Sequence, residues 1–110
     1  MAASIQDSRN KPMDGAVQSE VEKRLDDLLM RLQHRQDVPP GPLHRLEGLL
    51  EAVVLLDAAT IDQLNLLLDQ RCLSLLGQSM EERLGKNWRE HYPFPQLPLY
   101  AARAPVVPST

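Results

Sequence analysis

The chain predicts an all-α fold of three main helices and a possible short fourth, and three observations lead there. Apolar residues make up 43% of the 110 residues but aromatic ones only 4%, so the core must be built largely from leucine. Leucine is a strong helix former, whereas strands draw on β-branched and aromatic residues. Leucines recur at three- and four-residue spacing through successive stretches, the period of a helix with one buried face. Capping pairs and helix-breaking Pro and Gly then divide the pattern into segments. The length suits one domain with one core.

Residues 1–16 are small and polar, with Pro12 and Gly15 and no apolar period, and are expected to form a disordered arm. Ser19 followed by Glu22 has capping-box spacing and predicts the start of the first helix. Val21, Leu25, Leu28, Leu29 and Leu32 supply its apolar face, and DVPPG at 37–41 stops it. Pro42 suits the first position of a second helix, where a missing amide costs nothing. Leu43, Leu46, Leu50 and Val53 form its stripe, widened by Leu49, Val54, Leu55 and Leu56.

Asp57 or Thr60 caps the third helix, with Gln63 at capping-box distance from Thr60. Ile61, Leu64, Leu68, Cys72 and Leu75 lie on one side, while Leu66, Leu67, Leu73, Leu76 and Met80 spread over much of the rest. Gly77 either kinks this helix or ends it, Ser79 with Glu82 reads as a fresh cap, and Gly85 as a stop. The helical domain is therefore expected over 17–85. Beyond Lys86 the five prolines at 93, 95, 98, 105 and 108 predict an extended tail over 86–110. Trp88, Tyr92, Phe94 and Tyr100, all the aromatic residues of the chain, fall in that tail and suggest that 88–100 docks on something.

The third helix carries more apolar surface than a shared three-helix core uses. Each leucine left in water forfeits about 1.5–3 kcal/mol, a large share of a stability of roughly 5–15 kcal/mol. The simplest cover is a second copy, because a twofold interface needs only one self-complementary patch, and a helical homodimer is the expectation; the aromatic tail, folded back over the third helix to complete a monomeric core, is the alternative. On the first, Val53, Leu56, Leu64, Leu67, Leu68, Leu75 and Leu76 form the dimer and partner interface, with Asp69 and Arg71 at its rim.

Other functions find little material. The formal charge of −3 and pI near 5.5 disfavour nucleic acid as a direct partner. The turn before Thr60 resembles a helix-turn-helix in outline, but the helix after it offers Asp62, Gln63 and Asn65 among leucines and no cation before Arg71, poor chemistry for reading bases. Arg83, Lys86, Arg89 and Arg103 are interleaved with Glu81, Glu82 and Glu90. His34, His44, His91 and Cys72 lack metal-ligand spacing, Asp26 and Asp27 point apart on a helix, and no nucleophile motif or glycine-rich phosphate loop is present. The expectation is a protein that is not an enzyme and uses no cofactor or metal. PQLP at 95–98 and PVVP at 105–108 fit the loose PxxP pattern only. A lone cysteine, the absence of an apolar leader and the charges that interrupt the leucine run predict a cytoplasmic location with no membrane contact.

The run LLEAVVLLDAATIDQLNLLLDQRCLSLL from Leu49, with the polar arm before it and the three-helix plan, resembles the small helical anti-activators of bacterial quorum sensing over about residues 19–84. The resemblance implies a homodimer that sequesters a LuxR-type transcription factor and blocks its dimerisation and DNA binding. A small acidic secretion or assembly chaperone is the alternative from another class.

Overall fold

A computed structural model describes residues 12–102; the first eleven residues of the predicted arm and the last eight of the tail lie outside them. Among the described residues the architecture is all-α, with no strand, and comprises α1 (Gly15–Gln33), α2 (Pro40–Leu55), α3 (Ile61–Leu76), α4 (Met80–Leu84), α5 (Trp88–His91) and α6 (Leu99–Ala102).

Helix α1 begins earlier than the Ser19–Glu22 pair predicts. Asp14 is the cap, its carboxylate accepting from the Ala16 and Val17 amides at 2.9 and 3.1 Å. The extra turn lets Met13 and Val17 pack against the core, and Glu22 is engaged by the Gln18 side chain at 2.8 Å instead of by a cap. The predicted arm therefore loses its last residues to the helical domain. Helix α2 likewise starts at Pro40, so Pro42 sits third and not first. All of its first three positions tolerate a proline-type residue, because their amides have no intrahelical acceptor.

The ends of α1 and α2 are built alike. Arg35 adopts φ 59° and Asp57 φ 61°, the left-handed conformation that closes a helix by returning two amides to its last carbonyls. Arg35 and Gln36 donate to the Leu32 and Arg31 carbonyls at 2.9 and 2.7 Å, and Asp57 and Ala58 to those of Val54 and Val53 at 3.0 and 2.8 Å. Asp57 thus finishes α2, and Thr60 alone caps α3, through the reciprocal box with Gln63. A side chain in this conformation costs roughly 1 kcal/mol relative to glycine. Arg35→Gly is accordingly expected to raise stability by about 0.5–1 kcal/mol, read as a higher urea midpoint at unchanged slope.

Gly77, at φ 76°, ends α3 outright, which settles the choice between a kinked helix and two separate ones. Ser79 and Glu82 then form the expected capping box for α4, and Gly85 closes it.

Helix α1 is the central element and packs on both α2 and α3, burying Val21, Leu25, Leu28, Leu29 and Leu32. Arg71 of α3 reaches Asp26 of α1, and Gln33 of α1 reaches the Leu75 carbonyl of α3; these bonds span 45 and 42 residues. The near-constant offset means that α1 and α3 run in the same direction. The space left between α2 and α3 is closed by the tail. Phe94 and Leu97 line one small space together with Leu46 and Leu50 of α2, Leu64 and Leu68 of α3, and Val21 and Leu25 of α1, and both pack in the core. Trp88, Leu97 and Leu99 are core residues, and α6 packs on α1 and α4. The segment from Lys86 to Tyr100 is therefore part of the helical domain, not an extended appendage.

Candidate partner-binding surface

Burial decides which of the predicted interface residues can meet another molecule. Val53, Leu64, Leu67 and Leu68 are buried in the chain's own core, and Leu75 and Leu76 are partly buried against it. Of the predicted set only Leu56 is openly exposed. The cover expected from a second copy is thus supplied in large part by the chain itself. A substitution such as Leu68→Asp would place a charge in the core and would report on folding, not on association. The predicted rim changes in the same way. Arg71 donates two hydrogen bonds to Asp26, at 2.8 and 2.9 Å, and braces α3 on α1. Asp69 is half-buried on α3, close to the Met80 backbone at the start of α4. Burial raises the Asp69 pKa, Glu81 adding to the effect while the Met80 backbone and the Arg89 charge oppose it.

The tail is held by Arg89. Its Nε and Nη2 donate to Asn65 Oδ1 of α3 at 3.2 and 2.8 Å, and Nη1 donates to the carbonyls of Tyr92 and Gln96. The guanidinium also lies 4.2 Å from the Trp88 ring centroid and 5.6 Å from that of Phe94, a favourable arrangement for a cation. Burial lowers its pKa to about 10, which leaves it charged at neutral pH. On the α2 side, the Leu97 amide donates to Glu47 Oε2 at 2.8 Å. Arg89 was legible only as part of a mild basic cluster; its role depends on a loop closing around it, which no spacing rule encodes.

After this cover is in place, a smaller set of large apolar side chains stays in solvent. Leu55 and Leu56, at the end of α2, are 81% and 76% exposed, and Leu66 and Leu73, seven residues apart on α3, are 59% and 51% exposed. Met30, Ile61 and Tyr100 are exposed as well. Periodicity places Leu66 and Leu73 away from the side that carries Leu64 and Leu68, but it does not say which of the two sides the core takes, because α3 is leucine-rich around most of its circumference.

Chemistry of other kinds is sparse in the described residues. No group of three or more His, Cys, Asp or Glu is placed to hold a metal ion, and no helix is long and apolar enough to cross a membrane. Cys72 is fully buried, and burial, with Asp69 nearby, pushes its thiol up to about 12. Because the thiolate is the reactive form, Cys72 is expected to resist Ellman's reagent in the folded protein and to react in full once urea unfolds it. Rapid labelling without denaturant would contradict the burial. Comparison with family models, with curated proteins and with solved structures finds no match to this chain in any of the three.

Proposed function

We propose that this protein works without catalysis, by binding another protein through the leucines that its own tail leaves uncovered. The observation that carries the proposal is the exposure of Leu66 and Leu73 on one side of α3 and of Leu55 and Leu56 at the end of α2. Scattered apolar residues are ordinary on a surface, but clustered ones mark interaction sites. The client suggested by the resemblance is a LuxR-type transcriptional activator, sequestered so that it neither dimerises nor reaches its promoter. In this reading the chain also pairs with a second copy through Leu55 and Leu56, leaving the α3 ridge for the client.

Two double variants test the assignment, and both change exposed side chains, so helicity should survive. Leu55→Ser with Leu56→Ser is expected to halve the sedimentation mass. Leu66→Ser with Leu73→Ser is expected to preserve the mass and to restore promoter binding by a LuxR-type activator in a mobility-shift assay that contains the unaltered chain as inhibitor control. An unaltered chain that leaves the activator's promoter binding intact would remove the sequestration reading, and a monomeric unaltered chain would remove the homodimer.

A further inference from the structure

The exposed ridge of α3 has a charge pattern that selects its occupant. Asp62, Leu66, Asp69 and Leu73 follow one another at steps of four, three and four residues, so on a helix they share one strip about 60° wide. Leu66, Leu73 and Asp62 are exposed and Asp69 is half-buried. Carboxylates therefore alternate with leucines along the strip, and Glu81 lies close enough to act on Asp69. The neighbouring cations are already engaged: Arg71 by Asp26, and Arg89 by Asn65 and two tail carbonyls.

A second copy fits this strip poorly. Antiparallel pairing that seats Leu66 of one copy on Leu73 of the other puts the twofold axis between positions 69 and 70, so the two Asp69 carboxylates meet beside it. Parallel pairing sets Asp62 and Asp69 each against its own counterpart. Either register removes solvent from like charges at close range, at a carboxylate whose surroundings already disfavour ionisation.

We propose that the Asp62–Leu66–Asp69–Leu73 strip docks an amphipathic helix of a different protein, one that carries two apolar anchors seven residues apart flanked by lysine or arginine. Each leucine would receive an anchor and each carboxylate a cation, the helix-on-helix mode of recognition with charge fixing the register. The inference rests on the protein-binding function proposed above and names the chemistry of the partner.

The test uses the full chain and two labelled helical peptides with leucines at heptad spacing, one filled with lysine and the other with glutamate, read by fluorescence anisotropy. The lysine peptide is expected to bind, more weakly as salt is added, and the glutamate peptide to bind at least about tenfold more weakly. Leu66→Ser with Leu73→Ser should weaken the lysine peptide by about tenfold or more, with an unchanged helical spectrum. Asp62→Lys with Glu81→Lys should reverse the preference between the peptides. Equal affinity for both peptides, or indifference to the leucine substitutions, would overturn the proposal. So would a dimer that those substitutions convert to monomer, since the occupant would then be a second copy. Failure here is separable from failure of the function. If the Leu66/Leu73 variant loses the activator but the lysine peptide neither binds nor competes, the function stands and this inference falls. If the lysine peptide binds the strip while activator capture ignores the variant, the inference stands and the sequestration reading falls.

Discussion

Truncation after Gly85 is expected to abolish cooperative folding. The change removes Trp88, Leu97 and Leu99 from the core and opens the space that Phe94 and Leu97 line with Leu46, Leu50, Leu64 and Leu68. Burial of each large apolar side chain contributes about 1.5–3 kcal/mol, so the three lost residues alone approach the roughly 5–15 kcal/mol that holds a domain together. The leucines of α2 and α3 thus exposed would form a continuous apolar groove, a liability for aggregation. Size-exclusion chromatography should show the truncated chain in aggregates, and urea titration followed by circular dichroism should show a broad, shallow transition. A monomeric truncated chain with the slope and midpoint of the full chain would place the tail outside the fold.

That result bears on how far a sequence of this kind can be read. The three long helices were legible because their apolar stripes are periodic and their punctuation is local. Thr60 with Gln63 and Ser79 with Glu82 act as capping boxes as their spacing predicts. The same logic misplaced the start of α1, because Ser19–Glu22 has the spacing of a cap while Asp14, one turn upstream, holds the free amides. Pattern alone does not rank two competing caps; the burial of Val17 and Met13 does.

The excess of leucine on α3 was also legible, and it correctly demanded a cover. Which molecule supplies that cover was not. Proline-rich sequence argues against regular structure, yet it does not argue against packing, and Leu97 and Leu99 are as deeply buried as the leucines of α1. The predicted interface accordingly divides into core residues, such as Leu64 and Leu68, and a residual ridge at Leu66 and Leu73. Both pairs have helical spacing; they differ only in the side of α3 on which they lie, which is fixed by where α1 and the tail pack.

The second large effect is expected at Arg89. Arg89→Ala removes every hydrogen bond to Asn65 Oδ1 that the guanidinium makes and strips a donor from the Tyr92 and Gln96 carbonyls. It also removes the cation from the faces of Trp88 and Phe94. Hydrogen bonds made by a charged donor are each worth about 1.5–3 kcal/mol. The guanidinium is only about half-buried, so the several bonds do not add in full, and a net loss of about 2–4 kcal/mol is expected. For a domain of this size each kcal/mol corresponds to about 4–8 °C, which places the fall in Tm at roughly 8–32 °C. Arg89→Lys should recover less than half of the loss, because an ammonium is a single point donor and cannot span an amide oxygen and two carbonyls as the planar fork does. Asn65→Ala removes one acceptor and should cost about 1 kcal/mol. The Asn65→Ala and Arg89→Ala double variant should lose less than the sum of the two, since they share a contact. Trp88 fluorescence separates the causes: release of the tail should shift its emission to longer wavelength in Arg89→Ala at temperatures where the far-ultraviolet dichroism of α1, α2 and α3 persists. Strict additivity in the cycle would mean that Arg89 and Asn65 do not act on each other, and that this contact does not hold the tail to α3.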